Sequence, residues 1–231
     1  MLSVRRMEST GADQKGGLAI QYVTDPAAIY RDSFRQIGER ADLTAFSPQE
    51  SQIAARVIHA SADFTLGESL VFHPAAVPMA LKVLNHSGHL VVDARMVEAG
   101  LNRDRLSRLG IRVWCGIDQP EVGVLAQRQG ITRSMAAMDW AMAQAPPGCL
   151  VVIGNAPTAL FRLLQGIEAG WWQPAVVVGL PVGLVGAAES KAQLMAQTRV
   201  PAMSNRGSRG GSAAAAAAVN ALIRMVLGEP Q

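Results

Sequence analysis

IGNAPTALF (Ile153–Phe161) and VVVGLPVGLVGAAESK (Val176–Lys191) decide how this chain folds. Each starts as a continuous apolar run of the kind that forms a strand buried on both faces. Each then turns sharply through glycine and enters a helix-compatible segment. Glycine at such a turn lets backbone N–H groups approach a ligand, and the following helix N-terminus favours negative charge. One turn of this kind is a weak signal. Two of them, with different glycine spacing, predict a cradle for a polyanionic small molecule. Asn155, Gly183 and Gly186 are its candidate contacts.

The flanking sequence repeats the alternation of strand and helix. LVVDARMV (Leu90–Val97) reads as a strand and a turn, and IRVWCGI (Ile111–Ile117) as a strand. Asp118-Gln119-Pro120-Glu121 then opens a helix, and a further helix covers Arg133–Ala145. A short strand near Val200–Met203 leads into the basic glycine loop NRGSRGGS (Asn205–Ser212). The alanine-rich segment Ala213–Leu227 closes the chain as a packed helix, since alanine favours helix and permits close approach. Towards the N-terminus, Leu18–Val23 reads as a short strand. Asp25-Pro26 is an N-cap followed by proline at the first helical position, for a helix to about Arg40. Ser47-Pro48-Gln49-Glu50 is a capping box for a second helix through about Ser61. A third helix spans Pro74–Asn85. Residues 1–17 are polar and pattern-free and read as a disordered extension; residues 18–231 read as a single domain. The pattern predicts a three-layer α/β/α sandwich with a mainly parallel sheet, which binds ligand at the carboxyl ends of its strands.

Composition narrows the function. Hydrophobic residues make up 49% of 231 and aromatics only 5%, so the core must be aliphatic. The formal charge is +3, without a dense Lys/Arg run or aromatic–basic interleaving, which argues against nucleic acid. Cys115 and Cys149 each sit in an apolar run, as buried free thiols of a reducing compartment do. No Cys/His set has zinc spacing, no apolar stretch reaches the ~18 residues that span a bilayer, and no signal-peptide core is evident. A cytoplasmic protein with neither metal nor membrane contact is expected. A P-loop and a nucleophile elbow are missing, and the glycines from Gly179 to Gly186 do not follow the dinucleotide spacing.

Several side chains are candidates for chemistry. Arg56, His59 and Asp63 share a stripe if the second helix extends that far, beside the apolar stripe Ile53, Val57 and Ala60. An imidazole there suits proton transfer near neutral pH, or is a surface histidine bonded to a backbone carbonyl. Ser33 is a small tolerated polar group among Ile29, Tyr30 and Ile37, or a ligand donor. Arg133 stands at a helix start behind Thr132, where a carboxylate would fit. Asn155 reads as an N-cap. Glu189 and Lys191 form a solvated pair or a loop edge against ligand. His86 and His89 lack partnering carboxylates and read as a turn before a strand, and His73 leads into the third helix.

Taken together, AIYRDSF, RVIHASADF, GITRS, IGNAPTAL, GLPVGLVGAAESK and RGSRGGSA resemble the precorrin-8X methylmutase family, including its cobalt-precorrin-8 branch, from about Ile20 to Leu227. The resemblance implies a flavodoxin-like fold and a homodimer with ligand sites near the subunit interface. It implies an isomerase of cobalamin biosynthesis, acting on a corrinoid without a cofactor and handing product to neighbouring pathway enzymes. The reaction moves a methyl group on ring C from carbon eleven to carbon twelve. His59 falls on the family's histidine, implied to protonate the ring C nitrogen or to stabilise its protonated form. Ser33 and Arg56 fall on ligand-contact positions, with Arg133 and Arg206 as further contacts. The chain departs from the family's pattern at Ser61 and Ala62, at Ala94 and Arg95, and at Asn205 before Arg206. A non-catalytic corrinoid carrier using the same pocket, and a nucleotide-binding α/β enzyme, are the competing readings.

Overall fold

The computed structural model describes residues 22–86 and 88–229. Its elements, in chain order, are α1 (Pro26–Arg40), α2 (Pro48–Ser61), α3 (Phe64–Glu68), β1 (Leu70–Phe72), α4 (Ala76–Asn85) and β2 (His89–Val92). They continue through α5 (Arg95–Gly100), α6 (Arg103–Arg108), β3 (Arg112–Cys115), α7 (Pro120–Gln129), α8 (Arg133–Gln144) and β4 (Leu150–Ile153). The chain closes with α9 (Pro157–Glu168), β5 (Val176–Gly179), α10 (Ala187–Ala196), β6 (Ala202–Asn205) and α11 (Ser212–Val226).

The strands form one sheet in the order β1-β6-β5-β4-β2-β3. Only the β1–β6 pair is antiparallel; the other neighbours run parallel. From β2 the chain crosses outward to β3, then returns to build β4, β5 and β6 on the other side. The switch point therefore lies between β2 and β4, where a doubly wound sheet opens a crevice.

Alternation along the strands sends side chains to two cores. Leu90, Val92, Leu150, Val152, Val176 and Val178 pack with α2, α4, α5 and α11. Val91, Val151, Ile153 and Val177 pack with α8, α9 and α10. The three-layer, flavodoxin-like sandwich is thus present, with an aliphatic core. No helix among the described residues is long and apolar enough to cross a membrane.

Local signals account for most boundaries. Asp25 accepts from the amides of Ala27 and Ala28, and Pro26 opens α1. Both arms of the Ser47–Glu50 capping box are made. Helix α11 buries Ala214, Ala215, Ala216, Ala218 and Ala221 against its neighbours, so the alanine run is a packing seam. Differences are confined to short elements. The segment after β2 is the helix α5 rather than a turn, and α4 starts at Ala76, two residues later than its proline suggests. Helices α3 and α6 and strand β1 are too short to show a period. Of the strand expected at Leu18–Val23, Tyr22 and Val23 are exposed coil; its other residues, like the extension 1–17, lie outside the described residues.

Helix α2 ends in a strained residue. Ala62 has φ 54° and ψ 22°, the left-handed conformation that glycine adopts freely at a helix end. A Cβ there costs about 1 kcal/mol or more. Ala62→Gly is expected to raise stability by about 1 kcal/mol, read as a higher midpoint in urea or thermal unfolding. An unchanged or lower midpoint would contradict this account.

Candidate active site

At the switch point a single carboxylate closes the first glycine bend. Asp93 follows β2 and is 1% exposed. Its oxygens accept from the backbone N–H groups of Gly154 (2.9 Å), Asn155 (2.9 Å) and Ala156 (2.7 Å). Burial pushes this carboxyl above its usual range, while the three amides pull it back. The expected N-cap of α9 is corrected accordingly. The cap residue is Ala156, without a side-chain cap of its own, and Asp93 supplies the acceptor from the neighbouring strand. Asn155 keeps a half-buried side chain at the sheet edge, but its amide is already bonded. The first bend is therefore filled by the protein's own anion and does not offer these amides to a ligand.

The second bend differs. Gly186 (φ 79°) is the N-cap of α10 and provides no side chain to the first-turn amides. Gly183 donates its N–H to the carbonyl of Ser208, tying the bend to the basic loop. Gly210 permits that contact, since a Cβ on it would lie 2.4 Å from the carbonyl oxygen of Leu180. Arg206 projects exposed from this loop, and Arg209 Nη1 reaches Asp63 Oδ1 at 3.4 Å. Arg133 is exposed at the start of α8, whose cap Thr132 bonds Thr158 of α9 at 3.0 Å.

His59 and Arg56 come together on α2 under the rings of α1. Tyr30 and Phe34 are one turn apart and share a face. The imidazole stacks on Phe34 (centroids 4.9 Å, 27°) and meets Tyr30 edge-on at 5.7 Å. The Arg56 guanidinium lies over Phe34 at 4.6 Å and over Tyr30 at 5.2 Å, a cation–π arrangement. Arg56 Nε and Nη2 and the Tyr30 hydroxyl are buried without a hydrogen-bond partner among the described residues. The imidazole nitrogens likewise make no hydrogen bond to the described residues, so the carbonyl-bonded alternative does not hold. Burial first, and the Arg56 charge second, hold His59 below its ordinary pKa of 6.5. Burial also lowers the Arg56 pKa, with Tyr30 working in the opposite direction.

Two open clefts flank this imidazole. One, of about 280 Å³, is lined by Ser33, Ile37, Arg40, His59, Ala62 and Phe64. The other, of about 380 Å³, is lined by Arg56, His59, Asn102, Arg105, Asn220 and Arg224. Ser33 also borders a broader concavity of about 790 Å³ along α1. Its hydroxyl donates to the Ile29 carbonyl at 2.8 Å and retains acceptor capacity. In the arginine-lined cleft, Arg105 already bonds an acid, Glu229 (2.7 Å), which Arg108 also reaches (2.8 Å). The hollow between α9 and α10 has Glu168 as its charged lining group, the wrong sign for an acidic ligand.

The structure thus unites Ser33, Arg56 and His59 at one place. Gly183 and Gly186 stand beside Pro157 of α9, and the loop that carries Arg206 reaches the end of α2 through Arg209 and Asp63. Arg133 and Asn155 lie along the carboxyl edge of the sheet, towards the switch point. Sequence reasoning missed Asp93, although an acid ending an apolar strand is a signal, and missed the Tyr30–Phe34 cover. Arg105 and Arg224 are far apart in the chain and carry no local signal. The solvated Glu189–Lys191 pair is not formed, since Lys191 is 1% exposed and bonds Asn205. His86 Nδ1 pairs with the Lys82 carbonyl, and His89 accepts from the Trp114 indole. Both cysteines are buried thiols.

Fold and site define an α/β protein that sets one histidine between arginine-bearing clefts suited to a carboxylate-rich ligand. A family model described as precorrin-8X methylmutase matches residues 28–225. The precorrin-8X methylmutase of Pseudomonas aeruginosa is 45% identical over 205 residues, covering 88% of this chain and 97% of that relative. The cobalt-precorrin-8 methylmutase of Priestia megaterium is 40% identical, covering 85% and 87%. The crystal structure of precorrin-8X methylmutase from Thermus thermophilus superposes with a TM-score of 0.79 at 38% identity, covering 87% and 97%. The chain belongs to the precorrin-8X methylmutase family and is an isomerase.

Asp93→Ala leaves three amides of the first bend without their charged acceptor. A loss of about 3 kcal/mol of unfolding free energy is expected in urea denaturation. A loss below about 1 kcal/mol would show that the bend does not depend on this carboxylate.

Proposed function

We propose that this chain moves a methyl group on ring C of precorrin-8X, or of its cobalt form, from carbon eleven to carbon twelve, with His59 as the catalytic acid. The observation that carries this reading is the imidazole itself. It is held by ring contacts with Phe34 and Tyr30, its nitrogens are left open, and its pKa is lowered by burial and by Arg56. Relatives of both branches match most of the chain in sequence, and the acidic periphery is common to both substrates.

The chemistry follows from that geometry. The imidazolium gives its proton to the ring C nitrogen and draws electron density from the conjugated ring. The bond from the methyl group to carbon eleven breaks as the bond to carbon twelve forms. A proton then returns to the imidazole as the product conjugation is established, so the isomerisation consumes none. A depressed pKa makes the imidazolium a stronger acid than free histidine. Ser33, Arg56, Arg133 and Arg206, with the Asn155 side chain and the backbone of the second bend at Gly183 and Gly186, would hold the acetate and propionate groups; charge-assisted bonds to arginine suit that fringe.

We also infer a homodimer of single-domain subunits acting in the cytoplasm, able to pass product to the next enzyme. Leu184 (97% exposed) and Val185 (88% exposed) form an apolar crest on the second bend, which a second copy would cover.

His59→Ala is expected to lower kcat by ~10²–10⁴-fold while the coloured product still binds, as a spectral titration would record. Methyl migration at the wild-type rate would remove His59 from the acid role. Loss of turnover together with binding would leave it a contact only. Turnover by the wild type also excludes the carrier reading.

The pH dependence has a definite sign. The proton-donating form is lost as pH rises through the lowered pKa, so kcat/KM should fall along a limb centred below 6.5. Arg56→Gln removes a like charge and should move that limb to higher pH, besides raising KM. A limb that stays in place would dissociate the two side chains.

A further inference from the structure

Lys191 is a buried charge that the reaction above does not use. It begins no exposed loop edge: its side chain is 1% exposed on α10, yet its ammonium meets only neutral oxygens. Nζ donates to Asn205 Oδ1 at 3.1 Å and to the carbonyl of Arg209. Asn205 is itself 1% exposed and sends Nδ2 to the carbonyls of Arg206 (3.0 Å) and Arg209 (2.9 Å). An ammonium without a counter-charge is costly to bury, and burial alone brings its pKa down to about 8.

These bonds gather the carbonyls of the 205–209 loop onto one interior point. Two side chains made for anions are thereby turned outward. Arg206 and Arg209 are exposed, and Arg209 reaches Asp63, four residues beyond His59. The far side of the loop is fixed against the second bend. Gly211 donates to the Leu180 carbonyl at 2.8 Å, and Gly183 to that of Ser208 at 3.2 Å. With its glycines at 207, 210 and 211 the loop has little rigidity of its own. Its shape depends on what its carbonyls bond.

We propose that Lys191 and Asn205 form an internal clamp that presents Arg206 and Arg209 as anchors for the carboxylates of the macrocycle. Lys191 is then a positioning residue: it acts through the two arginines and does not touch substrate. The inference rests on the methylmutase reading and extends it to the presentation of the acidic fringe.

Lys191→Met keeps the bulk of the side chain and deletes its donors. Trypsin cleavage after Arg206 and Arg209 should accelerate severalfold, because the freed loop becomes accessible. KM for the corrinoid substrate, and the Kd of the product, should rise about tenfold or more, the worth of a lost charge-assisted contact. Within the same experiment kcat should stay within about threefold. Asn205→Ala should act in the same direction and serves if the first variant does not accumulate as folded protein.

A coupling test separates presentation from a general structural effect. If Lys191 acts through the arginines, adding Lys191→Met to Arg206→Gln/Arg209→Gln should raise KM little further. Effects that multiply would overturn the clamp's role, as would wild-type affinity in a variant whose loop is readily cut. If unaltered protein binds no corrinoid, the functional reading itself fails, and this role falls with it.

Discussion

The Asp93 carboxylate, buried against three consecutive amides after β4, is the interaction on which the rest of the arrangement depends. A doubly wound sheet leaves amide donors at its switch point, and in many such folds a ligand phosphate satisfies them. Here the neighbouring strand contributes the anion. The crevice is thereby sealed from within, α9 receives its cap, and β2 is locked to β4 at their carboxyl ends. A nucleotide would find this seat taken, which weighs against the nucleotide-binding reading.

With the switch point closed, the clefts that flank His59 lie one layer outward, at the seam where α1 covers α2. Its organisation is electrostatic. Arg56 and His59 carry or can acquire positive charge within one helical turn, and the rings of Tyr30 and Phe34 offer them π faces in place of carboxylates. An acid partner would raise the histidine pKa and neutralise the arginine. Burial first, and the neighbouring Arg56 charge second, do the reverse for the imidazole, leaving it neutral more readily and its cationic form more acidic. The adjoining cleft adds Arg105 and Arg224 to this positive lining, and Arg105 also pairs with Glu229.

Much of this was legible in the sequence because the relevant signals are local. Proline and capping residues mark the starts of α1 and α2, and unbroken Val/Ile runs mark the buried strands. The spacing of Arg56 and His59 places them on one stripe. The resemblance to a known family supplied the role of the histidine, which spacing left open. What stayed hidden depends on pairing between distant segments. Asp93 reads as the end of a strand until β2 lies beside β4. Lys191 looks like a solvated residue next to Glu189 until β6 brings Asn205 against it. The expectation that both glycine turns contribute to one ligand cradle fails at the first turn for the same reason: glycine announces a tight turn, but only the tertiary neighbours decide whether its amides remain available.

The alanine run of α11 carries a last implication. Ala215 sits where a Cβ on Gly154 would collide, and Ala216 does the same opposite Gly100, so this helix touches both the switch-point bend and the end of α5 at methyl distance. The same helix packs along α2, which bears the histidine. Enlarging either methyl group would push α11 off the bend or off α5, and α2 rests on α11. The setting of the His59 imidazole is therefore written in side-chain volume that is withheld, and drift in substitution along α11 would register in the helix that carries it.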